Sequence, residues 1–551
     1  KGIARGTTAK DSLTGTHYQA ACEGACIIDT VFYQNLDKGV SYTLRGTLMD
    51  KATGEAVRDA GGKLLSAEKT FTPVTGNGSV DVEFVFDASA FAGMAVVVFE
   101  ELYEGEKKLA EHKDMGDDEQ TIHYPGIATR AADSKTSTNV SHAEKEVTLI
   151  DTVSFTGLQP GRAYRLSGAL MVKETGEAYV DADGRTVAAS RLFVPEAPSG
   201  SVDVIFTFNG GNAAGSTLVI FEELLRGGQT YAVHMDIDDE SQSVYFPGIG
   251  TKACVETTGD QVAMACSPLA VTDTVSYSNL TAGQEYRLKG LLMVKETGKA
   301  LEENGIPVAA EKTFVPDASS GTVDMQFVFN AEDLEGYSIV IFEELYAGSS
   351  LVASHRDMED DGQTVYIPKI YTTALDDATG THEAKAAGSM SITDTVTYEN
   401  LVPGKTYTIV GTLMDSGTGE AVRIEGEMAT VKEQFEPKET DGTAEVTFNF
   451  NGLSLAGKTV VVFESLLYNG VEIASHRDIG DERQSVAVIP VRSVKGASVE
   501  KEEEKEEKKE EKKEKRREKK PEAKEITKEI KEETAKEEST PKQPRIPANP
   551  E

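Results

Sequence analysis

The sequence HKDMGDDEQT, residues 112–121, recurs in three closely related copies further along the 551-residue chain. Each copy keeps the pattern His-x4-Asp-x2-Gln, and the copies lie at nearly equal intervals. Self-similarity at a fixed period is the signature of a tandem array, so one domain is predicted to occur four times. The repeated triads are His112/Asp117/Gln120, His234/Asp239/Gln242, His355/Asp360/Gln363 and His476/Asp481/Gln484.

The residues between two copies show the pattern of short β-strands. Apolar and polar residues alternate in segments such as 28–33 and 80–86, and turns contain glycine, as at Pro160 and Gly161. About seven strands per block predict an all-β chain of four tandem immunoglobulin-like β-sandwich domains. The expected domains are residues 1–125, 126–247, 248–368 and 369–490, and such short connections predict a stiff rod.

Residues 491–551 form a tail of different composition. No apolar residue occurs between Glu500 and Lys520, and opposite charges recur three or four positions apart, as in Glu504 and Lys508. This spacing predicts a charged, solvated helix, and the absence of an apolar seam argues against a coiled coil. The prolines that end the tail predict an extended spacer.

The net charge of −36 lies in the predicted domains, because the tail after residue 500 has equal numbers of basic and acidic residues. A chain without a basic face cannot displace counterions from phosphate, so no nucleic-acid partner is expected. No apolar run is long enough to span a membrane. No secretory signal is present either, and the start at Lys1 suggests a mature or trimmed chain.

Cysteine is scarce, and the cysteine positions are interpreted as differing from block to block. Cys254 and Cys266 flank two predicted adjacent strands and could form a local disulfide, whereas Cys22 and Cys26 are a weaker pair. No third and fourth ligand recur near them, so no metal site is expected.

Each block also carries a glutamate after its most hydrophobic strand and a threonine in its first strand. In a single copy, the histidine and aspartate would be interpreted as ordinary residues of a surface loop. The glutamate would be interpreted as a carboxylate at a strand end whose hydrogen bonds are satisfied. Four intact copies at fixed spacing favour a functional set instead. The glutamates are Glu100, Glu222, Glu343 and Glu464.

Three features together resemble the Thr–Gln ester-bond domains, or VaFE repeats, that form the stalks of Gram-positive surface adhesins. They are the Val-Val-Phe-Glu stretch at residues 97–100, the ending His-x4-Asp-x2-Gln-Thr/Ser, and the start Ile-x-Thr, as at Ile127 and Thr129. In that family, a threonine hydroxyl of the first strand attacks the side-chain amide of a glutamine in the last strand. Ammonia leaves, and an intramolecular ester remains.

The resemblance implies one cross-link in each block. The implied pairs are Thr7–Gln120, Thr129–Gln242, Thr251–Gln363 and Thr372–Gln484. In the first block Thr8 is an alternative nucleophile, because Arg5 and Gly6 disturb the pattern. A threonine in the Asp-Thr-Val strand competes in every block, although a β-branched residue there has a simpler structural explanation. These competitors are Thr30, Thr152, Thr274 and Thr395.

The residue types suit this reaction. A histidine with a glutamate can take the proton of the threonine, and a buried, neutral carboxylic acid can stabilise the amide oxygen. The resemblance assigns the neutral acid to Asp117, Asp239, Asp360 and Asp481. No cofactor is expected, and the chain is expected to cross-link itself rather than act as an enzyme on other molecules.

The resulting expectation is a monomeric, extracellular stalk of a surface adhesin. It would attach to the bacterial cell wall through a further C-terminal region and present an N-terminal head to a host-surface ligand. The alternative is a binding array whose loops recognise a host protein or glycan, although the chain contains no tryptophan. A hydrolase that uses His, Asp and Glu is a third possibility, which four intact copies disfavour.

Overall fold

The computed structural model describes residues 2–3 and 7–491. Within these residues the chain is all-β and consists of four repeated domains in tandem, as predicted. They belong to one compact unit that ends at Ile489. The predicted helical and proline-containing tail lies outside the described residues, apart from Val491. We number the domains 1 to 4 in chain order.

Domains 1 and 2 contain strands β1 to β17. Domain 1 also has a short 3₁₀ helix, Asp118–Gln120. In domain 1 the strands are β1 (Gly2–Ile3), β2 (Thr8–Asp11), β3 (Ala25–Gln34), β4 (Tyr42–Asp50), β5 (Ser66–Phe71), β6 (Gly78–Phe86), β7 (Ala95–Glu104), β8 (Lys107–His112) and β9 (Thr121–His123). In domain 2 they are β10 (Gly126–Asp133), β11 (Val147–Thr156), β12 (Tyr164–Val172), β13 (Ala188–Phe193), β14 (Gly200–Phe208), β15 (Thr217–Arg226), β16 (Gln229–His234) and β17 (Ser243–Tyr245).

Domains 3 and 4 repeat this order with additional short hairpins and with 3₁₀ helices at Asp361–Gln363, Leu453–Leu455 and Glu482–Gln484. Domain 3 has β18 (Gly248–Val255), β19 (Leu269–Ser278), β20 (Tyr286–Val294), β21 (Lys299–Ala300), β22 (Glu302–Glu303), β23 (Ile306–Pro307), β24 (Ala309–Phe314), β25 (Gly321–Phe329), β26 (Ser338–Ala347), β27 (Ser350–His355) and β28 (Thr364–Tyr366). Domain 4 has β29 (Lys369–Asp376), β30 (Glu383–Lys385), β31 (Met390–Glu399), β32 (Tyr407–Asp415), β33 (Glu420–Ala421), β34 (Arg423–Ile424), β35 (Glu427–Met428), β36 (Thr430–Phe435), β37 (Gly442–Phe450), β38 (Thr459–Tyr468), β39 (Val471–His476) and β40 (Ser485–Ile489).

Each domain has two main sheets, and its first and last strands belong to different sheets. In domain 2 the first strand lies in the three-stranded sheet β10-β11-β14, while β17 pairs with β15 in the second sheet, β13-β12-β15-β16. Alternate residues of the long strands are buried, which is the period expected when one face of a sheet packs on a core. A link between the first and last strands therefore joins the two sheets across the core.

Two details of the predicted strands are corrected by the structure. Glu100 does not follow its strand but lies inside β7, with its side chain fully buried. Gln120 does not begin the last strand; it ends the 3₁₀ helix, and the strand starts at Thr121. Both changes move the side chains from a strand end, where water would satisfy them, into the interior.

Consecutive domains also contact each other. The loop after the first strand contains an apolar residue that packs against the hydrophobic core of the next domain. This residue is Tyr18 in domain 1, Val140 in domain 2 and the fully buried Val262 in domain 3. In the part of the chain that the structure describes, no helix is long and apolar enough to cross a membrane.

A buried glycine in the central strand of domain 4 provides a test of how closely the two sheets pack. A Cβ atom added at Gly411 would lie 2.8 Å from Cζ of Phe448, whereas one added at Gly388 would meet no atom within 4 Å. We expect Gly411→Ala to lower the free energy of unfolding by about 1–3 kcal/mol, as overpacked cores do. Gly388→Ala is the matched control and should change it little. Urea unfolding of both variants would measure the difference, and equal midpoints would contradict this account.

Candidate functional site

The predicted threonine and histidine meet in domain 1. Thr7 is 1% exposed, and its Oγ1 lies 3.0 Å from Nδ1 of His112. The neighbouring Thr8 has the opposite orientation and donates a hydrogen bond to Glu119 at the exposed edge. The structure therefore places Thr7, and not Thr8, beside the histidine.

Domain 4 brings the predicted partners closest together. Nε2 of Gln484 lies 2.9 Å from Oγ1 of Thr372, and both side chains are buried. The same hydroxyl lies 3.5 Å from Nδ1 of His476 and 3.3 Å from Oε2 of Glu464. The side chain that would attack, the amide that would be attacked and a nitrogen base are thus within contact of one another.

Domains 2 and 3 have the same threonine, glutamine, histidine and glutamate at the equivalent positions. The hydroxyls of Thr129 and Thr251 are buried without a hydrogen-bond partner among the described residues. Nε2 of Gln242 donates to the carbonyl oxygen of His234 at 3.2 Å, and Nε2 of Gln363 donates to Oε2 of Glu343 at 2.5 Å. In every domain, the glutamine Oε1 is buried and has no described partner. This oxygen is the atom that a hydrogen-bond donor would have to reach.

The predicted aspartates are partners of the histidines. Nε2 of His112 lies 3.2 Å from Oδ2 of Asp117, and the matching distances in domains 2, 3 and 4 are 2.9, 3.1 and 3.5 Å. Oδ1 of Asp117 also accepts the backbone N–H of Glu119, which fixes the loop. A carboxylate at Nε2 holds the imidazole so that Nδ1 faces the threonine.

These aspartates are partly exposed. The side-chain exposures of Asp117, Asp239, Asp360 and Asp481 are 25%, 25%, 30% and 12%. In domain 2, a hydrogen bond from the Ser241 hydroxyl holds the pKa of Asp239 below its usual value. The prediction of a buried acid is therefore wrong at these four positions, and at Asp239 the lowered pKa also contradicts a neutral one.

Each domain also contains a buried carboxyl pair that sequence reasoning missed. The aspartate of each Asp-Thr-Val strand is fully buried and faces the buried glutamate of the other sheet. Most of the carboxyl oxygens of these pairs have no described donor, so a proton shared between the two carboxyls is the way to satisfy them. The aspartates are Asp29, Asp151, Asp273 and Asp394. Their inward position was readable from the alternation Ile27-Asp29-Val31 in β3.

Burial and mutual repulsion keep one proton on each pair. Burial, followed by the charge of Asp273, raises the pKa of Glu343 to about 11, while burial raises the pKa of Asp273 to about 6. In domain 1, burial raises the pKa of Glu100 to about 7, and burial with the Glu100 charge raises the pKa of Asp29 well above its usual value. Two carboxylates this close cannot both ionise at neutral pH.

A glycine lies opposite each glutamate on the neighbouring strand, and in domain 2 it leaves room for the glutamate. Gly168 is the cross-strand partner of Glu222, and a Cβ atom there would lie 2.3 Å from Oε1 of that glutamate. The same register recurs in the other domains, where the paired residues are Gly46 and Glu100, Gly290 and Glu343, and Gly411 and Glu464.

The competing threonines lie on the outer side of the sheet. Oγ1 of Thr30 donates to Oδ1 of Asp81 at 2.8 Å, and Thr152 and Thr274 make the equivalent bonds to Asp203 and Asp324. Thr395 occupies the same position of its strand, next to the buried Asp394. These hydroxyls face away from the glutamines, which supports the structural explanation.

The cysteines differ from the prediction in two ways. Cys254 and Cys266 are free thiols rather than a disulfide, with Sγ contacts to the carbonyl oxygens of Val255 and Pro268. Cys22 and Cys266 also occupy equivalent positions, because each carbonyl accepts the N–H of the same alanine of its repeat. The interpretation that no cysteine position recurs is therefore wrong.

The sequence matches the family model described as the T-Q ester bond containing domain in four segments, residues 5–124, 125–246, 247–367 and 368–488. The chain belongs to this family. The resemblance deduced from Val-Val-Phe-Glu and His-x4-Asp-x2-Gln is thereby confirmed. No curated protein is significantly similar to the chain.

Several solved structures share local similarity with this T-Q ester bond protein. A Mobiluncus mulieris adhesin described as containing intramolecular disulfide, isopeptide and ester bond cross-links matches over 41% of this chain and 83% of its own, with 16% identity and a TM-score of 0.20. The C-terminal domain of the Streptococcus agalactiae AgI/II polypeptide BspA matches over 42% and 100%, with 7% identity and a TM-score of 0.23. A 1.5-MDa bacterial ice-binding adhesin matches over 66% and 97%, with 14% identity and a TM-score of 0.19. Such low scores carry no argument about function.

The shared protons predict how stability depends on pH. The pKa of the buried acids is higher in the folded state than in the unfolded chain, so the stabilisation is complete at acidic pH and is lost as pH rises. In a chain with Thr7, Thr129, Thr251 and Thr372 changed to alanine, we expect domain 3 to lose stability progressively from about pH 4, where these acids ionise in the unfolded chain, to about pH 11, where Glu343 ionises in the folded domain. The slope is at most about 1.4 kcal/mol per pH unit for each released proton.

Urea unfolding at a series of pH values, resolved by domain through hydrogen exchange and mass spectrometry, would measure this loss. The double variant Asp273→Asn/Glu343→Gln is the control, since it removes both titrating groups and should flatten the dependence in domain 3 alone. Stability that is constant or rising over the same range in the parent chain would contradict the shared proton.

Proposed function

We propose that each domain forms an intramolecular ester between the Oγ1 atom of the threonine at its first strand and the Cδ atom of the glutamine that directly precedes its last strand. The observation that carries the proposal is the contact in domain 4 among Thr372, Gln484 and His476, at 2.9 and 3.5 Å. All three come from different segments, and the two that would react, Thr372 and Gln484, are buried. The T-Q ester bond family supports the same pairing.

The first step is the activation of the hydroxyl. A threonine is a weak nucleophile until a base takes its proton. Nδ1 of His112 lies 3.0 Å from Oγ1 of Thr7 and can accept that proton, while Asp117 at Nε2 stabilises the imidazolium that forms. The histidine stores the proton until the leaving group needs it.

The second step is the activation of the amide. Side-chain oxygen and nitrogen atoms of a glutamine exchange places by a half turn about the Cγ–Cδ bond, which would bring Oε1 of Gln363 to the position beside Glu343. The protonated carboxyl of the pair can then donate a hydrogen bond to Oε1 as negative charge develops there. The buried carboxyl pair thus supplies the oxyanion stabilisation that the partly exposed Asp360 cannot.

The third step is the departure of ammonia. Attack of the hydroxyl forms the bond between Thr Oγ1 and Gln Cδ and gives a tetrahedral intermediate. Collapse of this intermediate breaks the Cδ–Nε2 bond. The amine takes the proton held by the histidine and leaves as ammonia, so the histidine ends neutral and the atoms balance. Each domain consumes its own threonine and glutamine once, so the reaction is self-processing without turnover.

The ester would serve a mechanical role. It closes a loop between residues 112 positions apart in domain 4, and a cross-link of that length contributes about 4–5 kcal/mol in the chain-entropy estimate. It also joins the strands next to the two domain ends, so tension applied to the chain runs through a covalent bond. We propose that four such domains form the extracellular stalk of a bacterial surface adhesin. Cell-wall attachment and a host-surface ligand belong to the same proposal.

The intact mass of the purified chain tests the cross-links. We expect a deficit equal to four ammonia molecules, one for each domain, because each ester loses one. Thr251→Ala should reduce the deficit by one molecule, whereas the control Thr274→Ala in the neighbouring strand should leave it unchanged. A mass equal to that of the unmodified sequence would refute ester formation.

The carboxyl pair and the histidine are tested by the rate of the reaction. Asp273→Asn and His355→Ala should each slow ester formation in domain 3 by about 100-fold or more, the usual effect of removing a catalytic donor or base. Mass spectrometry of a domain 3 peptide map after refolding would follow the reaction, with domain 4 in the same chain as the internal control. Unchanged rates in domain 3 would assign the chemistry to other groups.

A further inference from the structure

The joints between domains are built from repeated contacts. In domain 3, the turn residue Asn279 has a φ of 59° and donates its side-chain amide to the carbonyl oxygen of Ser216 in domain 2 at 2.8 Å. Asn400 of domain 4 has a φ of 62° and makes the same bond to Tyr337 of domain 3 at 2.8 Å. We call this contact the asparagine clamp. It ties the start of one domain to the end of the domain before it.

The second contact runs in the opposite direction. Tyr18, Val140 and Val262 pair with the last strand of their own domain and pack against the core of the next domain. We call this residue the apolar plug. In domain 4 its counterpart is Glu383, which pairs with the last strand in the same register but is exposed and charged.

Domain 1 carries the clamp position without a described partner. Asn35 has a φ of 57°, is exposed, and follows the strand β3 as Asn279 follows β19. Its backbone N–H donates to Asn77, as the N–H of Asn400 donates to Asp441. Within residues 2–3 and 7–491 its side-chain amide has no hydrogen-bond partner, whereas the amides of the other two asparagines bind the preceding domain.

A glycine at the start of domain 1 matches the glycines that open domains 2 and 3, whereas domain 4 opens with Lys369 at this register. Gly126 and Gly248 open domains 2 and 3, and a Cβ atom at either would lie 2.7 or 2.9 Å from a backbone nitrogen of the preceding domain. Gly2 occupies the same register opposite its partner strand, yet a Cβ atom there would meet only Ala110, at 3.9 Å. Inside domain 1, the described atoms therefore do not require a glycine at this position.

We infer that the end of domain 1 formed by Gly2 and Asn35 is a docking surface for the C-terminal end of another T-Q ester bond domain. The occupant must carry an apolar plug, because Tyr18, Val140 and Val262 each pack against the core of the domain that follows. A second copy of this chain does not fit, since its last domain would present the carboxylate of Glu383 where the other domains present an apolar side chain. The inference goes beyond the ester proposal and requires no cross-link.

The experiment extends the full chain by a second copy of residues 248–368, joined directly to Gly2. Nitroxide labels are placed at the exposed Lys69 of domain 1 and at the Lys312 position of the added domain, with the native cysteines changed to serine. The pair Arg191 and Lys312 across the natural joint between domains 2 and 3 is the reference. Pulsed electron paramagnetic resonance then gives the width of each distance distribution.

We expect the new joint to give a distribution as narrow as the reference. Asn35→Ala, and Val→Glu at the Val262 position of the added domain, should each widen it at least about twofold, because joined domains without a specific interface move independently. Asn451→Ala, an exposed asparagine far from this joint, should not. A new joint as broad as one made with a flexible glycine-serine linker, or one unaffected by both variants, would overturn the inference.

Light scattering of the unextended chain separates the two possible occupants. A monomer is expected. Dimers that disappear in the Asn35→Ala variant would show that a second copy occupies the surface, and would overturn the inference that Glu383 excludes it. The intact mass of the same samples reports ester formation, so failure of the ester and failure of the docking are distinguishable.

Discussion

Two carboxyl groups that are buried against each other constrain the packing of each domain. Asp273 and Glu343 come from facing sheets and are removed from water, so the fold must keep a proton between them. Gly290 lies opposite the glutamate, where an added Cβ atom would lie 2.5 Å from Met325 and Phe327, and the hydrophobic residues of both sheets close around the pair. Such a pair does not serve stability, because a buried acid contributes less to the free energy of unfolding than an apolar residue of the same volume. The proposed reaction in the core gives a reason for its presence in all four domains.

Much of the site could be read from sequence spacing, and the remainder depended on which way a side chain points. The fourfold pattern His-x4-Asp-x2-Gln identified the histidines and glutamines, because those residues lie close together in the chain. The buried acid was predicted at Asp117, since spacing does not reveal that this loop is partly exposed while Asp29 is enclosed. The clue was the period of β3, in which Asp29 shares the inward face with Ile27 and Val31. Thr30, one residue away, was considered as a competing nucleophile, but it lies on the outer face of the same strand.

The joints illustrate a different limit of sequence reasoning. Asn279 and Gly157 occupy the same turn position with positive φ, and either residue type suits that backbone conformation. Only the three-dimensional arrangement shows that the asparagine amide reaches into the preceding domain while Gly157 lies against the carbonyl of Tyr124. The short linkers in the sequence indicated that neighbouring domains lie close together. The side-chain contacts that hold these domains against each other could not be predicted from the sequence.

The proposed reaction also fixes an order of events. Thr372 lies in the first sheet of domain 4, and Gln484 ends the 3₁₀ helix that precedes β40 of the second sheet. These residues are 112 positions apart and meet only when the two sheets have closed over the carboxyl pair. An unfolded chain therefore has no way to form the proposed bond, and remains a linear polymer that can be threaded through a narrow opening. With the proposed ester in place, a folded domain is a closed covalent ring that urea, heat or tension can loosen but cannot straighten. The proposed reaction thus works as a one-way latch.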